Sequence, residues 1–357
     1  MNEPLVSVVT VACNVDRFFA ESIESILGQT FRDFEFIIVD YGSTDNSKAI
    51  AMGYAAKDSR IRFHEIPNCV LPAARNAACS LGRGRYIAIM DADDVCLPDR
   101  LKLEVEFMEQ NPEVGLMGGA VEWVDGTGRS LGQQAHPSED LEIRSVLLDH
   151  CPFWHPTVLL RKEAFTSVGG YRAAFVAAHD YDLELRIVER YKCANLRQVV
   201  LKYRLHPGQV SMQKQKQQTL GSLAAQWSRA MRQKGQEDVF DSVVLITPEL
   251  LTELGVDEST YERTWVSESR RRIRYMISSG ETSAALDMAV ELLHGNWVHA
   301  EKWQIADLHL TVAGLRWKRG EFSESIRSAA RAVRVRPKVL GRPVRPWLKR
   351  IGLVDEK

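Results

Sequence analysis

The chain has no run of 18 apolar residues, which excludes a segment able to span a bilayer as a single helix. It also lacks any Cys-x-x-Cys pair: its six cysteines, Cys13, Cys69, Cys79, Cys96, Cys151 and Cys193, lie far apart. That spacing suggests neither a zinc site nor a disulfide framework, and a reducing cytosol is the simpler expectation. Charge of one sign is missing too, since 46 basic residues meet 47 acidic ones, so no global basic excess points to nucleic acid. No basic n-region or signal-like apolar segment precedes the first strand, and the expected location is cytoplasmic. What remains is the composition of an ordinary globular protein of 357 residues, 45% hydrophobic and 26% charged, long enough for about two domains.

The most informative stretch is Tyr86-Ile-Ala-Ile-Met-Asp91-Ala-Asp93-Asp94. Its apolar, branched half reads as a buried strand, and a strand cannot carry three carboxylates through a core, so they must lie at its C-terminal mouth. In an open α/β sheet that mouth is where ligands sit. Carboxylates so close repel one another unless a cation neutralises them, and hard oxygen ligands suit Mg2+ or Mn2+. Taken alone, the short motif reads more readily as a polar loop in which Asp94 or Asp99 caps the helix starting near Pro98, and its surroundings shift that balance.

Around it the text alternates. Val6 to Val11, Phe34 to Val39 and Ile61 to Ile66 read as strands. Between them, Ile23, Ile26 and Leu27 mark a helix ending at Gly28, and Leu71 to Leu81 mark another stopped by Gly82 and Gly84. Strand, helix, strand, helix, strand predicts an α/β fold with a mostly parallel sheet wrapped by helices. Val114 to Gly119 and Val121 to Val124 read as two further short strands, with a hairpin-like turn at Asp125-Gly126. His179-Asp180-Tyr181-Asp182 opens a helix, where Asp182 reads as an N-terminal charge.

The polar tract Gln213 to Gln218 is the expected boundary between a domain over 1–212 and an all-α region over 213–357. In that region Arg274 to Glu281 and Arg316 to Glu321 are weakly alike, which suggests either a degenerate helix-hairpin repeat or an ordinary helical bundle. From Arg327 to Arg350 nine basic residues stand without an acidic one, interleaved with Val333, Val335, Trp347 and Leu348. This tail is either a solvated basic face or a peripheral dock for an anionic membrane at its inner face.

Six motifs then occur in an order and spacing that resemble those of the family 2 glycosyltransferases. They are Thr10 to Asn14, Gln29-Thr30-Phe31 with Phe34 to Asp45, Ala73 to Asn76, Gly84 to Asp94, Gly169-Gly170-Tyr171, and His179 to Leu183. The resemblance covers roughly residues 4 to 212. It implies a GT-A fold, a nucleotide-sugar donor, a divalent cation (Mn2+ or Mg2+), inversion at the anomeric carbon, and a glycan, glycolipid or glycoprotein acceptor. Carried over by position, it implies a donor pocket of Val11, Cys13, Asp40, Tyr41, Arg75, Asp91 and Asp93. It implies metal contacts from Asp93, Asp94 and His206, and Asp180 as the general base. Trp154, His155 and His179 are implied on the acceptor side, where an aromatic face suits a sugar ring.

Three positions depart from the family pattern. Tyr41 stands where an Asp usually meets uracil, Cys13 where an aromatic commonly stacks on the base, and His179 where Glu precedes the base. A UDP-sugar is still the expected donor, with GDP-, dTDP- and CDP-sugars open. The same departures leave a competing expectation open, a catalytically weak sugar-nucleotide-binding module whose helical region recruits partners, although the intact Asp91, Asp93, Asp94 and Asp180 argue against it. A nucleotidyltransferase would want a glycine-rich, lysine-bearing loop after the first strand, and Asn14 to Ala20 offers none.

Overall fold

A computed structural model describes residues 3–340 apart from 149, 207, 210–213, 279 and 296. It divides into two compact units, Met1–Thr247 and Pro248–Lys357.

The first unit is built on β1 (Val6–Ala12) and β2 (Phe34–Asp40), which pair in parallel and are buried along their whole length. Burial on both faces is why their sequences are nearly continuous apolar runs. β3 (Ile61–Glu65) and β4 (Tyr86–Ile89) flank them in parallel, and α1 (Asp16–Leu27), α2 (Ser47–Ala55) and α3 (Leu71–Leu81) make the connections. The later strands are β5 (Val95–Cys96), β6 (Val114–Val124), β7 (Ser130–Gln134), β8 (Leu159–Arg161) and β9 (Lys192–Arg204). They complete a nine-stranded sheet of order β3-β2-β1-β4-β8-β6-β9-β5, with β7 on β6. β8 runs antiparallel to both β4 and β6, so the sheet is parallel where the sequence alternates regularly and mixed beyond it.

Two expectations change here. The short strands expected at Val114 to Gly119 and Val121 to Val124 are one strand, β6, which pairs with β9 on both sides of the glycines and shifts register at Gly119/Ala120 and Ala120/Val121. The tract Gln213 to Gln218 leads into α8 (Gln215–Gln233), which packs on α7 (His179–Val188) within the first unit. Arg172 ties them together, donating to Asp182 on α7, to Ser228 of α8 (2.8 Å) and to Asp238 beyond it (2.8 Å). The units therefore divide after Thr247 rather than at 212, because residues 215–218 are the solvated first turn of a packed helix.

The second unit is helical: α9 (Pro248–Glu253), α10 (Glu258–Ser278), α11 (Thr282–His294), α12 (Lys302–Lys318) and α13 (Phe322–Val335). The two segments found alike in sequence sit at matching corners. Gly280 (φ 84°) ends α10 as Gly320 (φ 79°) ends α12, and the next amide closes each turn, Glu281 N on Met276 O and Glu321 N on Arg316 O. That backbone needs a left-handed residue, which glycine supplies without strain. Small residues then bring paired helices close: Ala285 and Ala289 on α11, Ser325 and Ala329 on α13, all fully buried. No helix among the described residues is long and apolar enough to cross a membrane. Of the basic tail, Arg327, Arg331 and Arg334 lie exposed on α13, while Arg342, Arg345, Trp347, Leu348, Lys349 and Arg350 fall outside the described residues.

Candidate active site

β4 ends against β1, and the chain leaves it with Met90 N on Val9 O (3.0 Å) and Thr10 Oγ1 on Met90 O (3.0 Å). Beneath this exit Arg100, wholly buried on α4 (Arg100–Gln110), donates to Ile89 O (2.9 Å) and Glu104 (2.9 Å) and touches Cys96 Sγ (3.1 Å). Burial pushes the Glu104 carboxyl up to about 7, against the pull of Arg100. The acidic loop thus stands on a fixed floor.

Its three carboxylates face different ways. Asp91 Oδ1 accepts from Arg75 Nη2 of α3 at 2.6 Å. Burial works against the charge of Arg75, but Asp91, Tyr171 and Asp180 outweigh it and hold the guanidinium protonated above its ordinary range. Asp93 Oδ2 lies 2.8 Å from His206 Nε2, both side chains partly exposed. Asp94 is buried, its Oδ1 accepting the Arg204 amide at 2.8 Å. Burial first, then the charges of Asp93 and Asp91, push its carboxyl well above the usual range. Asp93 and His206 thus meet side chain to side chain, while one oxygen of Asp94 accepts from the backbone of β9.

That backbone arrives by register. β5 pairs antiparallel with β9, Val95 opposite Lys202, so the residues just before β5 lie across from those just after Lys202. Arg204 Nε donates to Asp93 O (2.9 Å), its Nη2 pairs with Glu21 (2.6 Å), and its guanidinium covers Phe18. The His206 ring packs on Phe18 as well, at 4.9 Å. Tyr203 stands within electrostatic reach of Asp94, Asp91, Asp93 and Asp180, which together with burial push its phenol well above the ordinary value. Sequence pattern marks neither Tyr203 nor Arg204, because what places them is the pairing of β9 with β5.

Asp180 opens α7, partly exposed at the helix N-terminus. Burial raises its carboxyl above the usual range, opposed by the amides of Tyr181 and of its own residue and by Arg75. One turn on, Glu184 is buried and accepts from Cys151 Sγ at 2.8 Å, and burial and Asp180 push it well up. Asp182 lies in the first turn of α7, as expected of a helix N-terminal charge, and is also buried in ion pairs with Arg172 and Arg186 (2.7 Å) that tie the helix to its surroundings.

The three expected acceptor residues divide into two groups. His155 and His179 are buried with rings 5.6 Å apart, His155 Nε2 is 3.3 Å from Tyr171 Oη, and neither ring nitrogen of His179 has a well-formed hydrogen bond. Burial and Arg75 hold both imidazoles well below their ordinary value, so both are neutral. Trp154 turns the other way, onto Trp123 (4.9 Å), His136 (4.5 Å) and Tyr203 (5.8 Å), with Nε1 buried and unpartnered. The 3-10 turn His155–Thr157 between them sends neighbouring side chains apart.

On the other flank, the ends of β1 and β2 interlock. Asn14, left-handed at φ 57°, accepts Thr44 N at 2.8 Å, and Asp40 Oδ1 accepts the amides of Gly42 and Ser43 at 3.0 Å each. Asp40 Oδ2 is buried without a partner. Burial first, then Cys13, raise the Tyr41 phenol to about 12, against the pull of Arg75. Burial also raises the Cys13 thiol, helped by Asp40 and Asp45. Val11 is a buried residue of β1.

Among the described residues no three His, Cys, Asp or Glu side chains stand together as a ready-made metal cage. Asp93 and His206 offer two donors on a cleft, which fits a cation that takes its remaining ligands from substrate phosphates and water, as Mg2+ sites commonly do.

With this geometry in view, a family model described as Glycosyl transferase family 2 matches residues 7–169. The O-antigen biosynthesis glycosyltransferase WbnJ of Escherichia coli is 31% identical over 208 residues, 57% of this chain and 80% of the relative. Among solved structures, S. aureus TarS 1-349 in complex with UDP-GlcNAc gives a TM-score of 0.52 at 14% identity, covering 92% of this chain and 90% of TarS. The mannosyltransferase PcManGT of Pyrobaculum calidifontis, in complex with GDP-Man and Mn2+, gives 0.51 at 18% identity, covering 95% and 88%. Sequence and fold agree: the chain belongs to the family 2 glycosyltransferases and carries their transferase chemistry on a GT-A fold.

Proposed function

We propose that this glycosyltransferase is metal-dependent and inverting, and moves a sugar from a nucleoside diphosphate donor to a hydroxyl of a glycan, glycolipid or glycoprotein acceptor. The carrying observation is the pair Asp93 and His206, 2.8 Å apart, beside Arg75–Asp91 and Asp180. A divalent ion bound there would neutralise charge growing on the departing diphosphate. Asp93, Asp94 and His206 would hold it, and Arg75 fixes Asp91 beside them. Asp180, ionised, takes the acceptor proton as the acceptor oxygen bonds to the anomeric carbon. The bond to the diphosphate breaks with its electron pair leaving on the nucleoside diphosphate. One displacement with one base inverts the anomeric centre.

The buried, unpartnered Asp40 Oδ2 supports an N–H of the base as its partner, and uracil and guanine both carry one. UDP is the first donor to try and GDP the second, since PcManGT holds GDP-Man with Mn2+ on a similar fold.

Calorimetry with UDP and GDP, each with Mn2+, tests the reading. D93A and H206A are expected to abolish metal-dependent binding, while D180N binds as the wild type does and fails to turn over. Unchanged binding in both of the first two variants, or full turnover in the third, refutes it. Nucleotide binding by the wild type without any turnover would leave the binding-module reading in its place.

A further inference from the structure

We propose that the exposed side of α13 is a docking surface for an anionic lipid bilayer. It concerns the helical unit alone and stands apart from the donor reading. α13 inverts the ordinary amphipathic helix, which turns its large apolar side chains inward. The face it packs is made of Ser325, Ser328, Ala329 and Ala332, all buried, while Phe322 and Ile326 are 51% and 39% exposed. Small side chains let α13 lie close against α12, and the large ones are left outside. Helical spacing continues the line of Phe322 and Ile326 through the exposed Ala330 to the partly buried Val333, one stripe along the helix. At its start the Phe322 ring is braced edge-on by Trp317 of α12, with centroids 4.7 Å apart. An apolar stripe left in water marks an interaction surface.

A second stripe runs beside it. Arg327, Arg331 and Arg334 each follow a member of the first, and all three are exposed. Glu324 is shared between Arg316 (3.1 Å) and Arg327 (2.9 Å), but among the described residues no carboxylate pairs with Arg331, Arg334, Arg336 or Lys338. The occupant therefore carries negative charge. A second copy of this chain, or its own residues 342–350, would bring arginine against arginine. A nucleic acid would meet the arginines and leave Phe322 and Ile326 in water. An anionic bilayer supplies both halves: phosphates for the basic stripe, and the boundary of the acyl chains for the apolar stripe next to it.

Flotation of the full chain with vesicles of phosphatidylcholine alone, and of phosphatidylcholine mixed with phosphatidylglycerol, reads the docking. Wild type is expected to float with the mixed vesicles and not with the neutral ones, and to come off as salt is raised. R331Q/R334Q should weaken binding about 25-fold, about fivefold for each cation lost, and F322S/I326S about tenfold. Unfolding midpoints should match wild type, because all four side chains are exposed. Wild type that does not float with the mixed vesicles overturns the inference. So does unchanged binding by either α13 variant, including the case in which R342Q/R345Q/K349Q/R350Q alone lets go, which would move the dock to the residues after 340. Light scattering reads the other occupant: a wild type that stays off the vesicles, and is a dimer that F322S/I326S separates, would make the stripe a subunit interface instead.

Discussion

Gly169 and Gly170 allow the link between the Arg75 helix and the base helix to be weighed by a single methyl group. Both glycines have left-handed backbones, φ 77° and 69°. A Cβ on Gly169 would meet open space, whereas one on Gly170 would lie 2.6 Å from Asn76 Oδ1 and 2.9 Å from Phe165 Cζ. Asn76 follows Arg75 on α3, and its amide pairs twice with Tyr171, Nδ2 to the carbonyl at 2.7 Å and Oδ1 from the amide at 2.8 Å. G169A should cost only the left-handed penalty, about 1–2 kcal/mol. G170A should add the loss of two hydrogen bonds at ~0.5–1.5 kcal/mol each, for a total of about 2–5 kcal/mol. Urea unfolding followed by tryptophan fluorescence reads both. Because Asn76 and Arg75 are neighbours, G170A should also weaken nucleoside diphosphate binding, and G169A should not. If the two variants lie within about 0.5 kcal/mol of each other, the Asn76 clamp is not what holds this corner.

D180N should lower turnover by roughly 10²- to 10⁴-fold. In the wild type Asp180 must be ionised to act, and burial raises its proton affinity, so activity should fall with decreasing pH at a higher pH than an ordinary carboxylate gives. A pH profile flat down to pH 4 would count against it as the base. Far from the cleft, Glu35 accepts from Arg83, Arg62 and Ser7, and these bonds overcome burial to draw its carboxyl down from 4.5 to about 2. A lowered folded value means stability that is present above about 4.5 and lost as pH falls towards 2, on the order of 3 kcal/mol at neutral pH. E35Q should therefore unfold more easily at pH 7, with the gap to wild type closing between pH 5 and 2. A gap that stays constant across that range would contradict the assignment.

The parts of the fold legible in sequence are those where local pattern and burial coincide. β1 and β2 are buried on both faces, so their apolar runs announce them, and Asp91 to Asp94 could only lie at a strand end. What the sequence does not show is decided by partners distant in the chain. Asp182 stands in the first helical turn that its sequence announces, but its burial between Arg172 and Arg186 has no local mark. Nor has the Arg204 amide that meets Asp94. Residues 215–218 look like part of a linker because this turn is solvated, although α8, which it opens, is tied to Arg172 through Ser228. Trp154 and His155 are adjacent in sequence and part company in a 3-10 turn, a change of direction that no periodicity marks.

The shortest strand explains how so distant a set of residues forms one site. β5 is two residues long and contributes almost nothing to the core, yet its antiparallel pairing, Val95 with Lys202 and Cys96 with Leu201, sets what lies opposite what. Counting outward from that pair, Asp94 comes opposite Tyr203 and Asp93 opposite Arg204, and the observed bonds from Arg204 to both aspartates follow from this register. Side chains alternate along a strand, so a slip of one residue would part Arg204 from Asp94 and Asp93, and His206 would no longer meet Asp93. The floor under β5 resists such a slip: Arg100 grips Cys96 on one side and Ile89 on the other, tying the strand that enters the acidic loop to the strand that leaves it. The chemistry of the acidic loop is thus specified less by its own three carboxylates than by the strand end, more than a hundred residues later, that is held in register against it.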